Sequence, residues 1–221
     1  MSIILVPGQV AATIGGFAGN NTIISLPNNP TAGNLVIVFM TSGGSAGTMT
    51  AVDGNSNSYA PTTSTPFSGS TARLGMFYLQ NAPANANKNI TLTDGTAPTG
   101  FQDIFAAEFS GAATTGVFES DATQSFGGAS ATINLPSITS INNGDLLIGG
   151  TIGYNTLVSA DSPWTGIATA QQQSWAEYFV QATAGAQAIA FTQASSTFWD
   201  GMAAAFKAAP ATGIAIWPYR T

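Results

Sequence analysis

The 221-residue sequence contains no cysteine and no histidine. The first absence removes disulfides, thiol nucleophiles and thiolate metal ligands, though it leaves the redox compartment open. The second removes the base that a nucleophilic triad needs. A Ser-Lys arrangement would need a lysine in a recognisable motif, and neither Lys88 nor Lys207 stands in one. Charge is scarce too: four basic and ten acidic side chains make up 6% of the chain. Nucleic-acid binding neutralises phosphates with clustered Lys and Arg. Arg73, Lys88, Lys207 and Arg220 are scattered, so no nucleic-acid partner is expected. The glycine-rich stretch Gly15-Gly16-Phe17-Ala18-Gly19 opens no βαβ unit and holds no lysine, which excludes a phosphate loop. Residues Met1-Ser2-Ile3-Ile4-Leu5-Val6-Pro7-Gly8 have no basic region and only a short apolar run. They are expected to be neither signal peptide nor membrane span, and synthesis in a cytoplasm follows as the expectation.

What the chain does have is core material. Apolar residues are 44%, with thirteen Phe and four Trp, which argues against a disordered Gly- and Ser-rich chain. A chain of this length buries roughly 70% of its unfolded surface, so no disulfide or metal is required. Its surface must consist of Ser, Thr, Asn, Gln, Gly and small apolar residues. Low charge weakens the repulsion that keeps copies apart.

The most informative pattern is a duplication. The first half reads Leu26-Pro27, Gly33-Asn34-Leu35-Val36-Ile37, Phe77-Tyr78-Leu79-Gln80, Ile90-Thr91-Leu92-Thr93 and Phe101-Gln102-Asp103-Ile104-Phe105-Ala106-Ala107-Glu108-Phe109. The second half gives Leu135-Pro136, Gly144-Asp145-Leu146-Leu147-Ile148, Tyr178-Phe179-Val180-Gln181, Ile189-Ala190-Phe191-Thr192 and Phe198-Trp199-Asp200-Gly201-Met202-Ala203-Ala204-Ala205-Phe206. Five matches in one order are hard to reach by chance, and F-x-D-x-x-A-A-x-F is the strongest. A unit of about 100 residues is far too long for a solenoid repeat. It suits a half-sandwich used twice around a shared core.

Most blocks read as strands. Leu35-Val36-Ile37-Val38-Phe39-Met40 is a continuous apolar run bounded by Gly33-Asn34 and Gly43-Gly44, the pattern of a strand buried on both faces. Ile90 to Thr93 alternates, and Asn-Gly, Asp-Gly and Pro-rich breaks separate the blocks. Two segments compete as helices: Gln171 to Ala184, with Trp175, Tyr178 and Phe179 at helical spacing, and the Ala-rich Phe198 to Ala209. Their twins carry Gly75 and a period-two face of Phe105, Ala107 and Phe109, so both are assigned to strands. The expected fold is all-β: an antiparallel, jelly-roll-like sandwich of two face-to-face sheets built from two related halves. Residues 1–21 form an N-terminal arm or extra strand, and 22–209 the sandwich, with halves at about 22–111 and 130–209. Residues 210–221 are an apolar tail. Its Ile214, Ile216, Trp217 and Tyr219 read either as a last strand on the chain's own sheet or as an arm that binds a neighbouring subunit.

Candidate sites are few. Paired carboxylates hydrolyse glycosides. Glu119 and Asp121 alternate and are expected on one strand face, while Glu177 lies between Trp175 and Tyr178. The competing reading for each is an edge or surface acid. Asp103 and Asp200 occupy twin positions, which points to bonding of backbone N–H groups rather than to catalysis. Asp53-Gly54-Asn55-Ser56-Asn57 has the oxygen spacing of a calcium-loop start but lacks its Gly at position six and Glu at position twelve, and reads as a turn before Tyr59. Trp164, after Ser162-Pro163, is the aromatic expected to be exposed for stacking on a sugar. Trp175, Trp199 and Trp217 are expected in core or interface.

Gly-Asn/Asp-Leu before an apolar strand, Asp-Gly-Asn…Tyr, Phe-Tyr-x-Gln and a closing Ala-Ala-x-Phe resemble a class of duplicated β-sandwich proteins of tailed-phage virions and bacterial extracellular modules. The likeness spans roughly residues 22–209, and its motifs are structural. It implies a non-enzymatic protein of a virus particle, made in the host cytoplasm and located in the virion, such as a capsid decoration or cement protein. Its implied partners are capsid or other virion proteins and further copies of itself, a trimer first, with no cofactor, metal or membrane. The alternative is a carbohydrate-binding module or adhesin contacting glycan through Trp164. A glycosidase using Glu177 and a second acid ranks third.

Overall fold

The computed structural model describes residues 2–13, 20–43, 47–70, 72–95, 101–153, 157–160, 162–167 and 174–210, without the side chains of 126–127 and 157–160. The first part of the chain forms β1 (Ile4–Thr13), β2 (Asn21–Ser25), β3 (Leu35–Ser42), β4 (Met49–Asp53), β5 (Ala60–Pro61), β6 (Phe67–Ser68), β7 (Arg73–Leu79), β8 (Asn89–Asp94) and β9 (Gln102–Ser110). The second forms β10 (Phe118–Ser140), β11 (Leu146–Gly153), β12 (Leu157–Ala160), β13 (Thr165–Gly166), β14 (Ser174–Val180) and β15 (Gly185–Phe206). No helix occurs among the described residues, and every ladder between these strands is antiparallel. Of the two segments with helical spacing, residues 171–173 lie outside the described residues, and 174–180 and 198–206 are strand: their aromatic and alanine side chains alternate across β14 and β15.

One sheet runs β1-β9-β3-β7-β5, and a second runs β10-β15-β11-β14-β13. They face each other across a core in which Leu35, Ile37, Phe39, Phe105 and Phe109 meet Leu146, Ile148, Met202, Ala204 and Phe206. At its centre Phe39 lies against Gly150, where a Cβ would come within 2.5 Å of the ring. A third sheet, β2-β8-β4, covers the outer face of the first and encloses Val36, Val38, Met40, Ile90 and Leu92. Strand β3 is thus sandwiched, which explains why all eight of its residues are buried.

The molecule has more layers than the two sheets expected from the sequence. Strands β10 and β15 pair along nearly their whole lengths, with register shifts between Phe126 and Thr132. Beyond those shifts Ile133, Leu135, Ile189 and Phe191 pack against Leu147, Ala203 and Ala205, so β15 folds back over itself. One hairpin-like pair therefore supplies both an inner and an outer layer. Gln193 pins the bend, its Nε2 donating to the carbonyls of Ser130 (2.5 Å) and Thr197 (3.1 Å). Residues 4–13, expected as an arm or extra strand, are β1, laid along β9 with a register shift between Leu5 and Val10.

A buried ion pair ties the first part together. Arg73 on β7 meets Asp94 on β8, and the two side chains are 1% and 0% exposed. Ser42 Oγ donates to the second Asp94 oxygen (2.8 Å), and the guanidinium also donates to the Gly47 carbonyl. The pair is closed off from water, so each charge depends on the other.

Candidate functional site

The buried carboxylates hold the backbone. Asp200 on β15 reaches the segment before β7, where Oδ1 accepts from Ser70 N (2.9 Å) and Oδ2 from Ala72 N (3.0 Å). Asp103 on β9 reaches the start of β14, accepting from Ser174 Oγ (2.6 Å), and Thr41 Oγ1 is 2.9 Å from that hydroxyl. Each of these acids bonds across the central core to the opposite part of the chain. Glu108 accepts from Gln9 Nε2 (2.6 Å), Thr31 N (2.8 Å) and Asn34 Nδ2 (2.6 Å), fixing the loop that enters β3. Asp145 fixes the entry to β11 by accepting from Asn142 N and Ala208 N, both at 2.7 Å. These loops carry Gly33 and Gly144 at φ +90° and +87°, a conformation that favours glycine.

The Asp53 loop is a turn. Its carboxylate accepts from Asn55 N, Asn57 N, Asn57 Nδ2 and Asn87 N at 2.8–3.0 Å. Burial pushes the Asp53 pKa up, and these hydrogen bonds outweigh it, so the group titrates below the usual aspartate value. Among the described residues there is no cluster of three or more His, Cys, Asp or Glu able to hold a metal.

Glu119 and Asp121, expected on one strand face, are not brought together as a pair. A bulge between Phe118 and Ser120 breaks the alternation, and the two acids serve different loops. Asp121 accepts from Ser64 N (2.6 Å), whereas Glu119 faces Ile141 N (3.4 Å). Burial, then the neighbouring charge of Asp145, raises the Glu119 pKa, and the Ile141 N–H and Lys207 only partly oppose this. A carboxyl whose folded pKa is raised costs stability as pH climbs through that value. Glu119→Gln is therefore expected to unfold at higher denaturant than the parent near neutral pH and at the same concentration in acid. Unfolding curves at both pH values check this.

Two clefts stand out among the described residues. The larger, about 740 Å³, is bordered by Thr114, Thr115, Asn142, Asn143, Lys207 and Pro210. The smaller, about 250 Å³, opens at the bend of β10 and is lined by Gln124, Ser130, Thr132, Asn134 and Trp199. Glu177 borders neither: it is completely buried on β14, its side chain turned toward the space beside Gly149 that Ile189 and Phe191 also fill. An interior acid of this kind has no room for a sugar, so the sequence reading of Glu177 as a hydrolytic acid gains no geometry. Searches of family models, curated proteins and solved structures return no match.

Trp164 differs from its expected role. It is 7% exposed, its Nε1 donates to the Ala188 carbonyl (3.1 Å), and its ring packs on Phe179 at 5.9 Å. The loop that carries it turns inward because the outer layer of β15 supplies both an apolar bed and an acceptor. Ile214, Ile216, Trp217 and Tyr219 lie outside the described residues. The residues that sequence reading missed are Gln124 and Asn134. Their position at a bend depends on β10 continuing through a register shift, which no local pattern signals.

Proposed function

We propose that this chain is a non-enzymatic structural protein of a virus particle, most simply a decoration or cement protein on the assembled shell of a phage. The observation that carries the reading is how the buried acids are used. Asp53, Asp103, Glu108, Asp145 and Asp200 all bond loop N–H or side-chain donors, so the acids are spent on tying the chain's own loops in a charge-poor body. Such a body suits stabilisation of a shell by preferential binding to the assembled state. The duplication belongs to this proposal. It is supported by β3 lying between β9 and β7 while β11 lies between β15 and β14, and by the twin turns at Gly33 and Gly144. Exposed Ile4, Ile23 and Ile141 give apolar points for contact with shell subunits or further copies.

The test is the mass of the purified chain by light scattering over a range of concentration, with and without residues 213–221. A defined oligomer, a trimer first, that dissociates on truncation supports assembly through the tail. A monomer in both forms removes the homo-oligomer and leaves only binding to a preassembled shell, which sedimentation with particles then decides.

A further inference from the structure

The small cleft at the bend of β10 has the chemistry of a sugar subsite. Its lining is uncharged: two amides, two hydroxyls and an indole. Thr132 and Asn134 are two residues apart on one strand, so they share a face, and both are exposed. Gln124 approaches from the other side of the bend. Ser130 is already engaged, its Oγ donating to the Thr132 carbonyl at 2.7 Å, and this fixes the cleft wall. Within the described residues, the amides of Gln124 and Asn134 and the hydroxyl of Thr132 make no hydrogen bond to other side chains or to backbone. Each amide offers a donor and an acceptor in one plane, which matches a pair of adjacent hydroxyls. Trp199 is 3% exposed and gives the floor an apolar edge rather than a stacking platform. At roughly 30 Å³ per water the space equals about eight waters, which suits one ring and not a chain of them.

We propose that this cleft binds a single neutral sugar ring, held between the Gln124 and Asn134 amides over the edge of Trp199. With no charged group in the lining, an acidic sugar would be desolvated without a partner and is disfavoured. Few contacts in an open cleft give millimolar affinity, enough for attachment only when many copies act together. The inference stands apart from the virion reading, because any surface protein could use such a subsite.

The experiment is saturation-transfer NMR on the intact chain with the methyl glycosides of glucose, galactose, mannose and N-acetylglucosamine, and with sialic acid as the charged control. Saturable transfer from at least one neutral glycoside is expected. It should weaken tenfold or more in Asn134→Ala and in Gln124→Ala, both with the parent's unfolding midpoint because neither side chain is bonded. The site is overturned if no neutral glycoside saturates at tens of millimolar, if both variants respond like the parent, or if only sialic acid responds.

Discussion

Asp94→Ala is expected to destabilise the chain by about 3–5 kcal/mol, because it leaves the Arg73 guanidinium buried without its carboxylate. For a protein of this size that lowers the melting temperature by roughly 6–20 °C. The cause is the asymmetry of burial. Arg73 on β7 is 1% exposed where it meets Asp94 on β8, so water cannot replace the lost partner. The same argument gives the opposite result for a paired change. Arg73→Met with Asp94→Leu removes both charges together, and such replacements are often neutral or stabilising. Denaturant unfolding of Arg73→Met, Asp94→Leu and the double variant closes the cycle. A single variant as stable as the parent would mean that the pair contributes nothing.

The second large effect concerns the contact between Phe39 and Gly150. Phe39→Ala should cost about 3–5 kcal/mol, the range for removing a buried aromatic and leaving a cavity. Gly150→Ala should cost about 1–3 kcal/mol through overpacking, since the new methyl would stand within 2.6 Å of three ring carbons. The two costs share one space. In a Phe39→Leu background, where the ring is gone, Gly150→Ala should cost much less, and the cycle should show a coupling of about 0.5–3 kcal/mol. Additive costs would place the strain elsewhere in β11.

How much of this was legible depends on the range of the interaction. The continuous run Leu35–Met40 announced a strand covered on both sides, and Ile90 and Leu92 alternate with Thr91 and Thr93 as a half-buried strand does. Both signals are local, and the third sheet and second core satisfy them. The twin positions of Asp103 and Asp200 pointed to bonding of backbone N–H groups; Asp200 does this at Ser70 and Ala72, whereas Asp103 accepts from the Ser174 hydroxyl. The Arg73–Asp94 pair was not legible, because its partners come from separate strands and nothing near either residue marks it as interior. The number of layers was missed for a similar reason. Nothing in the sequence of residues 126–132 marks a bend, and only the long-range pairing with β15 makes them a fold line. Trp164 was placed outside because its dipeptide neighbours signal a turn, but a turn does not say which way the ring points. The candidate cleft shares that fate, since Gln124 and Asn134 face one space only once the strand has bent.

The fold line has a consequence for how the molecule opens. In the first part, the outer layer β2-β8-β4 is a separate sheet, joined to its inner neighbour by loops, side-chain packing and side-chain bonds such as the Arg73–Asp94 pair, with no strand ladder shared between them. In the second, the outer layer is the continuation of β10 and β15, so lifting it tears a ladder already committed to the inner sheet. Amide hydrogens of β8 can therefore exchange through a local opening of the first outer layer. Those of β15 before the bend exchange together with those after it, as one cooperative unit with a single opening free energy.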